Sequence, residues 1–344
     1  MKKYLLGLYA ALCVFGNGSD SQSKPEMVSL TPNNIPMHLD GDTKKFMQSA
    51  QCILKKIMKE NADLSPLKQR RLLHNTLAQT LNTTKTDVKS EDLIFTVKGQ
   101  QIPIRHYKGT KTGQVIYFVH GGGFALGNID THDQMCRFLC LKSGLDIYSV
   151  EYRLAPEHVY PAAYNDVIHA YDALLERLDP QTKIIVAGDS CGGNLALALV
   201  YNRILENKPL PEKIVLWYPW LDLNVKPLSR DGLDYYYFLT REGLNKYAMV
   251  YLQNQYGNKV NDPLVSPLYA ESPLLSKLPP VLMVSAEYDP LYEEGKIFFE
   301  KLKNVNNLHE QYILKDTIHV SGQFMDSFQK AHTAMDEINK FIEK

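Results

Sequence analysis

The sequence predicts a protein of the α/β class, with a mostly parallel central sheet that carries helices on both faces. The first observation is a regular alternation of strand-like and helix-like segments from residue 115 onwards, the pattern of parallel strands joined by helices. The second is that short runs such as Ile184-Ile185-Val186 are apolar at every position, as in strands covered on both faces. At 344 residues the chain allows two domains, or one large α/β domain with an insertion.

The segment before residue 115 has a different pattern. Apolar residues at helical spacing predict two helices within 40–81, separated by Ser65-Pro66. The spacing then changes, and residues 93–97 and 102–107 are typical of a strand pair around Gly99-Gln100. The alternating elements follow in chain order: strand 115–119, helix 135–141, strand 146–150, helix 162–178, strand 183–187, helix 194–205, strand 214–218, strand 281–284, helix 294–302, strand 311–314 and helix 326–342.

The alternation is interrupted over 221–262. This stretch is rich in charged and aromatic residues, including the run at 235–238, and it has helical spacing over 244–252. The sequence therefore predicts one sheet domain in two parts, 91–220 and 263–344. Helical pieces are expected outside it, within 19–90 and within 221–262.

Charge and the start of the chain restrict partners and location. Lys and Arg number 38, as do Asp and Glu, so the chain has no net charge, which disfavours nucleic-acid binding.

Residues 1–18 have the form of a signal peptide, with Lys2 and Lys3 before an apolar run and the small Gly16 and Gly18 near its end. That run is too short to span a bilayer as a helix. We expect secretion or periplasmic export without a stable membrane span; the alternative is a cytoplasmic enzyme with an uncleaved N-terminal helix.

Four cysteines would remain after removal of residues 1–18, and an even count in an exported chain suggests disulfides. Cys191 lies in a catalytic motif, however, and Cys52, Cys136 and Cys140 cannot all pair with one another. His132, Cys136 and Cys140 have the spacing of one helix face, which could bind a metal ion, but a fourth ligand is not evident. Buried cysteines acting as small apolar residues are the favoured interpretation.

Residues Gly188-Asp189-Ser190-Cys191-Gly192 fit the pattern Gly-x-Ser-x-Gly. The pattern follows a predicted strand and precedes a predicted helix, which is the context that a nucleophile on a sharp strand-to-helix turn requires. The glycines allow close backbone approach, and the turn lifts the Ser190 hydroxyl above the sheet. The alternative is a structural turn, since short Gly/Ser matches arise by chance in loops. The flanking elements favour Ser190 as a nucleophile.

Residues His120-Gly121-Gly122-Gly123 follow the strand predicted over 115–119. Successive glycines expose backbone N–H groups that can stabilise the negative oxygen of a tetrahedral intermediate. A flexible loop or a phosphate-binding turn is the alternative. A dinucleotide fingerprint fails here, because Phe124 stands where a glycine would be needed. The two glycine motifs together are much more specific than either alone.

A serine nucleophile needs a base, and the base needs an orienting carboxylate. In enzymes with this turn the chain order is Ser, then Asp or Glu, then His. Asp289 follows the predicted strand 281–284 closely. His309 precedes a strand and His332 lies inside the last predicted helix, whereas His319 lies after the strand predicted over 311–314. Order and position therefore predict Asp289 as the orienting acid and His319 as the base for Ser190.

The sequence resembles the hormone-sensitive-lipase-like group of α/β-hydrolases, which includes bacterial esterases and arylacetamide deacetylases. The resemblance extends from about residue 114 to the C-terminus. It rests on HGGG at 120–123, EYRLAPE at 151–157, PAA at 161–163, GDSCGG at 188–193, FLT at 238–240, DP at 262–263, SPL at 266–268, LPP at 278–280 and EYDPL at 287–291. Two positions depart from the family: Cys191 stands where alanine is usual, and Val320 where glycine is usual.

The resemblance implies an α/β-hydrolase fold with a helical cap formed by 27–90 and 221–262. It implies that Ser190 is the nucleophile, His319 the base and Asp289 its orienting acid. The oxyanion hole would be formed by the backbone N–H groups of Gly122, Gly123 and Cys191. The supporting residues that it implies are His120, Tyr152, Arg153 and Asp166.

These observations predict a serine carboxylic-ester hydrolase that acts through a Ser-His-Asp triad and an acyl-enzyme. Its expected substrates are small hydrophobic esters of short- to medium-chain acids. No metal or organic cofactor is required by this chemistry. The alternatives are a small-molecule amidase or deacetylase, which uses the same machinery, and a non-catalytic receptor for a hydrophobic ligand on the same fold.

Overall fold

The computed structural model describes residues 39–225, 239–306 and 308–344. The predicted signal peptide over 1–18 and the aromatic run over 235–238 lie outside the described residues. The described residues form one eight-stranded sheet in the order β1-β2-β4-β3-β5-β6-β7-β8. Its strands are β1 (Ser90–Val97), β2 (Gln100–Tyr107), β3 (Gln114–Val119), β4 (Asp146–Val150), β5 (Lys183–Asp189), β6 (Lys213–Trp217), β7 (Val281–Tyr288) and β8 (Glu310–Ile318).

Six of the strands are parallel, from β4 through β3, β5, β6 and β7 to β8. The first two strands are antiparallel to their neighbours at one edge. In the central strands the register pairs Val119 with Gly188 and Trp217 with Val284. The carboxyl ends of these strands therefore meet at one edge of the sheet, where open α/β sheets bind ligands.

The described helices are α1 (Gly41–Glu60), α2 (Pro66–Leu81), α3 (Asp133–Ser143), α4 (Ala162–Leu175), α5 (Cys191–Leu205), α6 (Arg241–Leu252), α7 (Tyr256–Lys259), α8 (Ser272–Leu275), α9 (Tyr292–Lys303) and α10 (Gln329–Glu343). They cover both faces of the sheet. Val186 of β5 packs in a core with α4, α5 and α9, whereas the adjacent Ile185 packs in a second core with α1, α3 and α10. Two-sided burial explains why this strand is apolar at every position. The predicted α/β fold with helices on both faces is confirmed.

The helices α1 and α2 pack against the C-terminal part of the chain. The side chain of Asp40 caps α1 by accepting a hydrogen bond from the N–H of Thr43 at 2.8 Å. Pro66 begins α2, a position where proline's missing N–H costs no helical hydrogen bond. Asn82, at the end of α2, donates a hydrogen bond to the backbone oxygen of Gln323 at 3.0 Å. This packing holds α2 beside the loop that follows β8.

The last two elements of the chain differ from their predicted bounds. Strand β8 continues to Ile318 rather than ending at 314, and it is paired with β7 through a register shift between Ala286 and Tyr288. The final helix begins at Gln329, after a short 3₁₀ turn at Met325–Ser327. Among the helices of the described ranges, none has both the length and the apolar character to cross a membrane.

Candidate active site

Ser190 lies on the sharp turn between β5 and α5. Its backbone has φ 53° and ψ −124°, a conformation that non-glycine residues rarely adopt. The turn is held by a hydrogen bond from the N–H of Ser190 to the oxygen of Trp217 at 2.9 Å. A Cβ atom on Gly188 would lie 2.5 Å from the oxygen of Gly192, and one on Gly192 would lie 2.1 Å from the oxygen of Val119. The two glycines are therefore required by close backbone approach.

His319 lies between the other two predicted residues. Its Nε2 atom is 3.0 Å from Oγ of Ser190, and its Nδ1 atom is 2.6 Å from Oδ2 of Asp289. The second oxygen of Asp289 accepts a hydrogen bond from the N–H of Leu291 at 2.8 Å. Asp289 is 1% exposed and His319 is 4% exposed. The structure thus brings together three residues that are as many as 129 positions apart, in the geometry of a nucleophile, a base and an orienting acid.

The pairing of β7 with β8 explains why Asp289 and His319, the predicted acid and base, are neighbours. The last residues of the two strands, Tyr288 and Ile318, are register partners. Asp289 and His319 directly follow them, so the two side chains leave the sheet edge side by side.

The loop after His319 contains Val320, which stands where the family usually has glycine. Val320 has φ 70°, a left-handed conformation that is costly for a β-branched residue and natural for glycine. The loop is fixed by a hydrogen bond from the N–H of Gly322 to the Tyr218 hydroxyl at 3.1 Å. The Tyr218 ring also contacts the His319 ring, with centroids 4.5 Å apart. The backbone therefore keeps its left-handed turn at Val320, at a cost of about 1–3 kcal/mol.

The glycine loop after β3 lies beside Ser190. Gly122 has φ 126° and Gly123 has φ 61°, and both line the same cavity as Ser190. A Cβ on Gly122 would lie 2.1 Å from the oxygen of Leu126, and a Cβ on Gly123 would lie 2.8 Å from the Tyr247 ring. Side chains are thus excluded from both positions, and the backbone of this loop lines the cavity beside Ser190.

The side chain of Cys191 joins the nucleophile turn to the glycine loop, a contact that the sequence did not predict. Its Sγ atom accepts a hydrogen bond from the N–H of Phe124 at 3.2 Å and is 3.7 Å from the Tyr152 hydroxyl. Tyr152 in turn donates a hydrogen bond to the oxygen of His120 at 2.7 Å. Burial raises the pKa of the Cys191 thiol to about 12, so the sulfur remains protonated near neutral pH. The thiol acts here as a buried packing group.

A buried polar cluster lies beneath the turn. One Asp189 oxygen accepts a hydrogen bond from the N–H of Gly121 at 2.8 Å, and the other is 3.4 Å from Nε2 of His132. The His120 ring stacks on Tyr152, with centroids 4.2 Å apart. Burial, with a smaller contribution from nearby His132, lowers the pKa of His120 to about 3. These contacts agree with a supporting role for His120 and Tyr152.

The other implied supporting pair is Arg153 and Asp166. The guanidinium of Arg153 donates two hydrogen bonds to the two oxygens of Asp166, at 2.8 and 2.7 Å. Asp166 also accepts from the N–H of Arg153 at 3.0 Å. The pair fixes the start of the loop between β4 and α4.

His132, Cys136 and Cys140 occur together at the start of α3 and within it. His132 is the residue before the helix and points to Asp189, whereas the two cysteines are buried as free thiols. Over 39–225, 239–306 and 308–344, no three His, Cys, Asp or Glu side chains are arranged to bind a metal ion.

A cavity above Ser190 encloses about 630 Å³ of space not filled by protein atoms, its opening to solvent included. Sequence reasoning missed Arg70, His74 and Gln323, which line it together with the predicted residues. In the sequence, the indication that Arg70 and His74 act together is their spacing: they are four residues apart and therefore lie on the same face of the helix. The described lining consists of Arg70, Leu73, His74, Gly122, Gly123, Leu126, Asp189, Ser190, Trp220, Leu239, Leu244, Tyr247, His319, Val320 and Gln323.

Residues 115–322 match a family described as having the alpha/beta hydrolase fold. A carboxylic ester hydrolase of Mycobacterium tuberculosis, LipN, is 32% identical over 262 residues, which cover 73% of this chain and 68% of that protein. An acetyl esterase of Salmonella schwarzengrund is 30% identical over 252 residues, 70% of this chain and 76% of that one. Among solved structures, a hyperthermophilic esterase of the archaeon Pyrobaculum calidifontis is 30% identical, with a TM-score of 0.76 over 89% of this chain and 98% of that one.

Proposed function

This chain belongs to the alpha/beta hydrolase family and is a carboxylic ester hydrolase, and from that premise we propose that it cleaves short- to medium-chain acyl esters through an acyl-enzyme on Ser190. The observation that carries the proposal is the continuous contact from Oγ of Ser190 through His319 to Asp289, at 3.0 and 2.6 Å.

The first half of the reaction transfers the acyl group to the enzyme. His319 accepts the proton of Ser190 as Oγ attacks the ester carbonyl, and it then gives that proton to the leaving alcohol. Asp289 holds the Nδ1–H of the ring and stabilises the imidazolium that forms. In the second half, water attacks the acyl-enzyme with the same proton transfers and releases the acid.

The negative oxygen of the tetrahedral intermediate would be bound by the backbone N–H groups of Gly122, Gly123 and Cys191. The positive φ angles at the two glycines and the exclusion of side chains there support this assignment. The start of α5 adds the positive end of a helix dipole at Cys191. Donors fixed in advance in this way contribute much of the rate enhancement of acyl transfer.

The expected chain length follows from the cavity. Its apolar wall is formed by Leu73, Leu126, Leu239 and Leu244, which favours an apolar acyl or alcohol group. The polar Arg70, His74 and Gln323 also line the cavity, so its apolar part is limited in extent, which suits small esters. A series of p-nitrophenyl esters from acetate to laurate should therefore show its highest kcat/KM at short to medium chains. A maximum at laurate would contradict this part of the proposal.

The triad is tested by Ser190→Ala, with Ser276→Ala as the matched control at an exposed position. We expect hydrolysis of p-nitrophenyl butyrate to fall by several orders of magnitude in the first variant and to stay unchanged in the second. A fluorophosphonate probe should add its mass to the peptide that contains Ser190. Retained hydrolysis by a folded Ser190→Ala protein would refute the mechanism. Paired ester and anilide substrates measure the preference for esters over amides.

We also propose that residues 1–18 direct export to the periplasm or the medium, from their charge and apolar pattern. Fractionation of the producing cells, with N-terminal sequencing of the recovered protein, tests this. Recovery from the cytoplasm with Met1 intact would contradict it.

A further inference from the structure

Arg70 is a buried arginine in the wall of the cavity that contains Ser190 and His319. It lies on α2 and is 8% exposed. Its Nη1 atom is buried without a hydrogen-bond partner, and no residue of the described ranges forms an ion pair with it. Burying a guanidinium, which is always charged, is costly unless a partner compensates. The guanidinium of Arg70 thus lacks a compensating negative partner among the described residues.

The neighbouring Arg71 shows that the fold does supply partners to arginines on this helix. Arg71 donates two hydrogen bonds at 2.8 Å to the carboxylate of Glu157. It also donates to the backbone oxygens of Ala125 and Ala155, at 2.9 and 3.0 Å. The contrast between two consecutive arginines makes the incomplete pairing of Arg70 a specific feature of the cavity.

The one carboxylate in the described lining is already engaged. One Asp189 oxygen accepts from the N–H of Gly121, and the other faces His132 at 3.4 Å. No other acidic residue belongs to that lining. Within 39–225, 239–306 and 308–344, the lining therefore leaves no carboxylate for Arg70, and an anionic group of a molecule in the cavity would supply the missing partner.

His74 supplies a second donor one turn along α2. Its Nε2 atom contacts the side-chain amide of Gln323, and its Nδ1 atom is buried without a partner. Burial lowers the pKa of His74 to about 4, so the ring is neutral near pH 7. When the Gln323 amide donates to Nε2, Nδ1 carries the ring hydrogen and is free to donate it.

We propose that the preferred substrate is an ester that also carries a carboxylate, and that Arg70 binds this carboxylate while the ester group lies at Ser190. The inference rests on the proposed function of that site. A carboxylate matches the planar guanidinium fork, and His74 can donate to the same oxygens. Hydrolysis would release a dicarboxylic acid if the charge is on the acyl side, or a hydroxy acid if it is on the alcohol side.

The test compares charged and neutral esters of the same shape. Mono-4-nitrophenyl glutarate and its methyl ester place the carboxylate, or its neutral equivalent, on the acyl side. For the alcohol side the pair is 4-acetoxybenzoate and its methyl ester. The kcat/KM ratio of charged to neutral substrate is measured for wild type, Arg70→Met, Arg70→Lys and Lys68→Met. Lys68 is exposed on the same helix, so Lys68→Met is the control for loss of one positive charge.

The wild type should prefer the charged member of at least one pair. Arg70→Met should lower that ratio tenfold or more, because a hydrogen-bonded charge pair is lost. The ratio for Arg70→Lys should lie between those of the wild type and Arg70→Met, and Lys68→Met should keep the wild-type ratio. Equal ratios in wild type and Arg70→Met would overturn the proposal. So would an equal loss for charged and neutral esters together with a lower Tm, which marks a merely structural arginine.

A binding measurement separates this inference from the proposed reaction. Glutarate or 4-hydroxybenzoate should raise the Tm of wild type and of Ser190→Ala, but not that of Arg70→Met. Stabilisation through Arg70 in a protein that hydrolyses no ester would reject the reaction and keep the carboxylate site. Hydrolysis of neutral esters without stabilisation by either acid and without a charged preference would reject the site and keep the reaction.

Discussion

The buried His74 makes a definite prediction about stability in acid. Burial, with a smaller contribution from His132, lowers its pKa from 6.5 to about 4. The unfolded chain therefore binds a proton at this position below pH 6.5, whereas the folded chain does not until about pH 4. Each pH unit in that window lowers the free energy of unfolding by up to about 1.4 kcal/mol, so the total loss is about 3 kcal/mol. This stability is fully present above pH 6.5 and is lost as the pH falls.

Other buried groups contribute to the same pH curve. His120, with a pKa of about 3, acts in the same direction. Glu294 acts in the opposite direction, because burial raises its pKa and the folded chain holds a proton that the unfolded chain has lost. The difference between wild type and His74→Gln removes these shared contributions. Between pH 7 and pH 4, the free energy of unfolding of His74→Gln should rise by about 3 kcal/mol relative to that of the wild type.

The assay is urea unfolding at pH 7, 6, 5 and 4, followed by tryptophan fluorescence. The sequence has two tryptophans, Trp217 and Trp220, and both are buried beside the catalytic turn. His158→Gln is the matched control, because His158 is exposed to solvent and should leave the wild-type pH dependence unchanged. Parallel pH curves for wild type and His74→Gln would refute the assigned environment of this ring.

Two further predictions concern catalysis. Gly123→Ala adds a Cβ 2.8 Å from the Tyr247 ring at a φ of 61°, so kcat for p-nitrophenyl butyrate should fall about a hundredfold with the fold retained by circular dichroism. A loss below threefold would argue against this loop as the oxyanion donor. Asp289→Asn should lower kcat by about 10⁴ through the wrong ring tautomer of His319. A loss of less than tenfold would indicate another orienting acid.

Local patterns are the reason that much of the fold and the central part of the site could be predicted. The nucleophile turn combines an apolar strand with glycines at fixed offsets, and both features are visible within a dozen residues. Strand β8 shows where such reasoning stops. The polar Lys315 and Asp316 interrupt its apolar run, yet its ladder with β7 continues past a register shift to Ile318. Hydrogen bonding to a neighbour, which no local pattern reports, sets where that strand ends.

The cavity wall was beyond prediction for a different reason. His74 contacts Gln323, which is 249 positions away, so the packing of α2 over the site depends on tertiary contacts alone. The apolar residues of α2 predict a helix but not what that helix covers. Arg70 is likewise an ordinary charged residue in the sequence, and its burial is visible only once the fold is assembled.

The order of the proposed reacting groups along the chain has a consequence for the last step of folding. Ser190 and the glycine loop follow strands at the centre of the sheet, whereas His319 follows β8 at its edge. In the proposed mechanism, a chain that has folded only as far as β7 would hold Ser190 without His319, the residue that takes its proton. Such a chain would hydrolyse no ester until β8 joins the sheet, so ester hydrolysis would report that the sheet is complete.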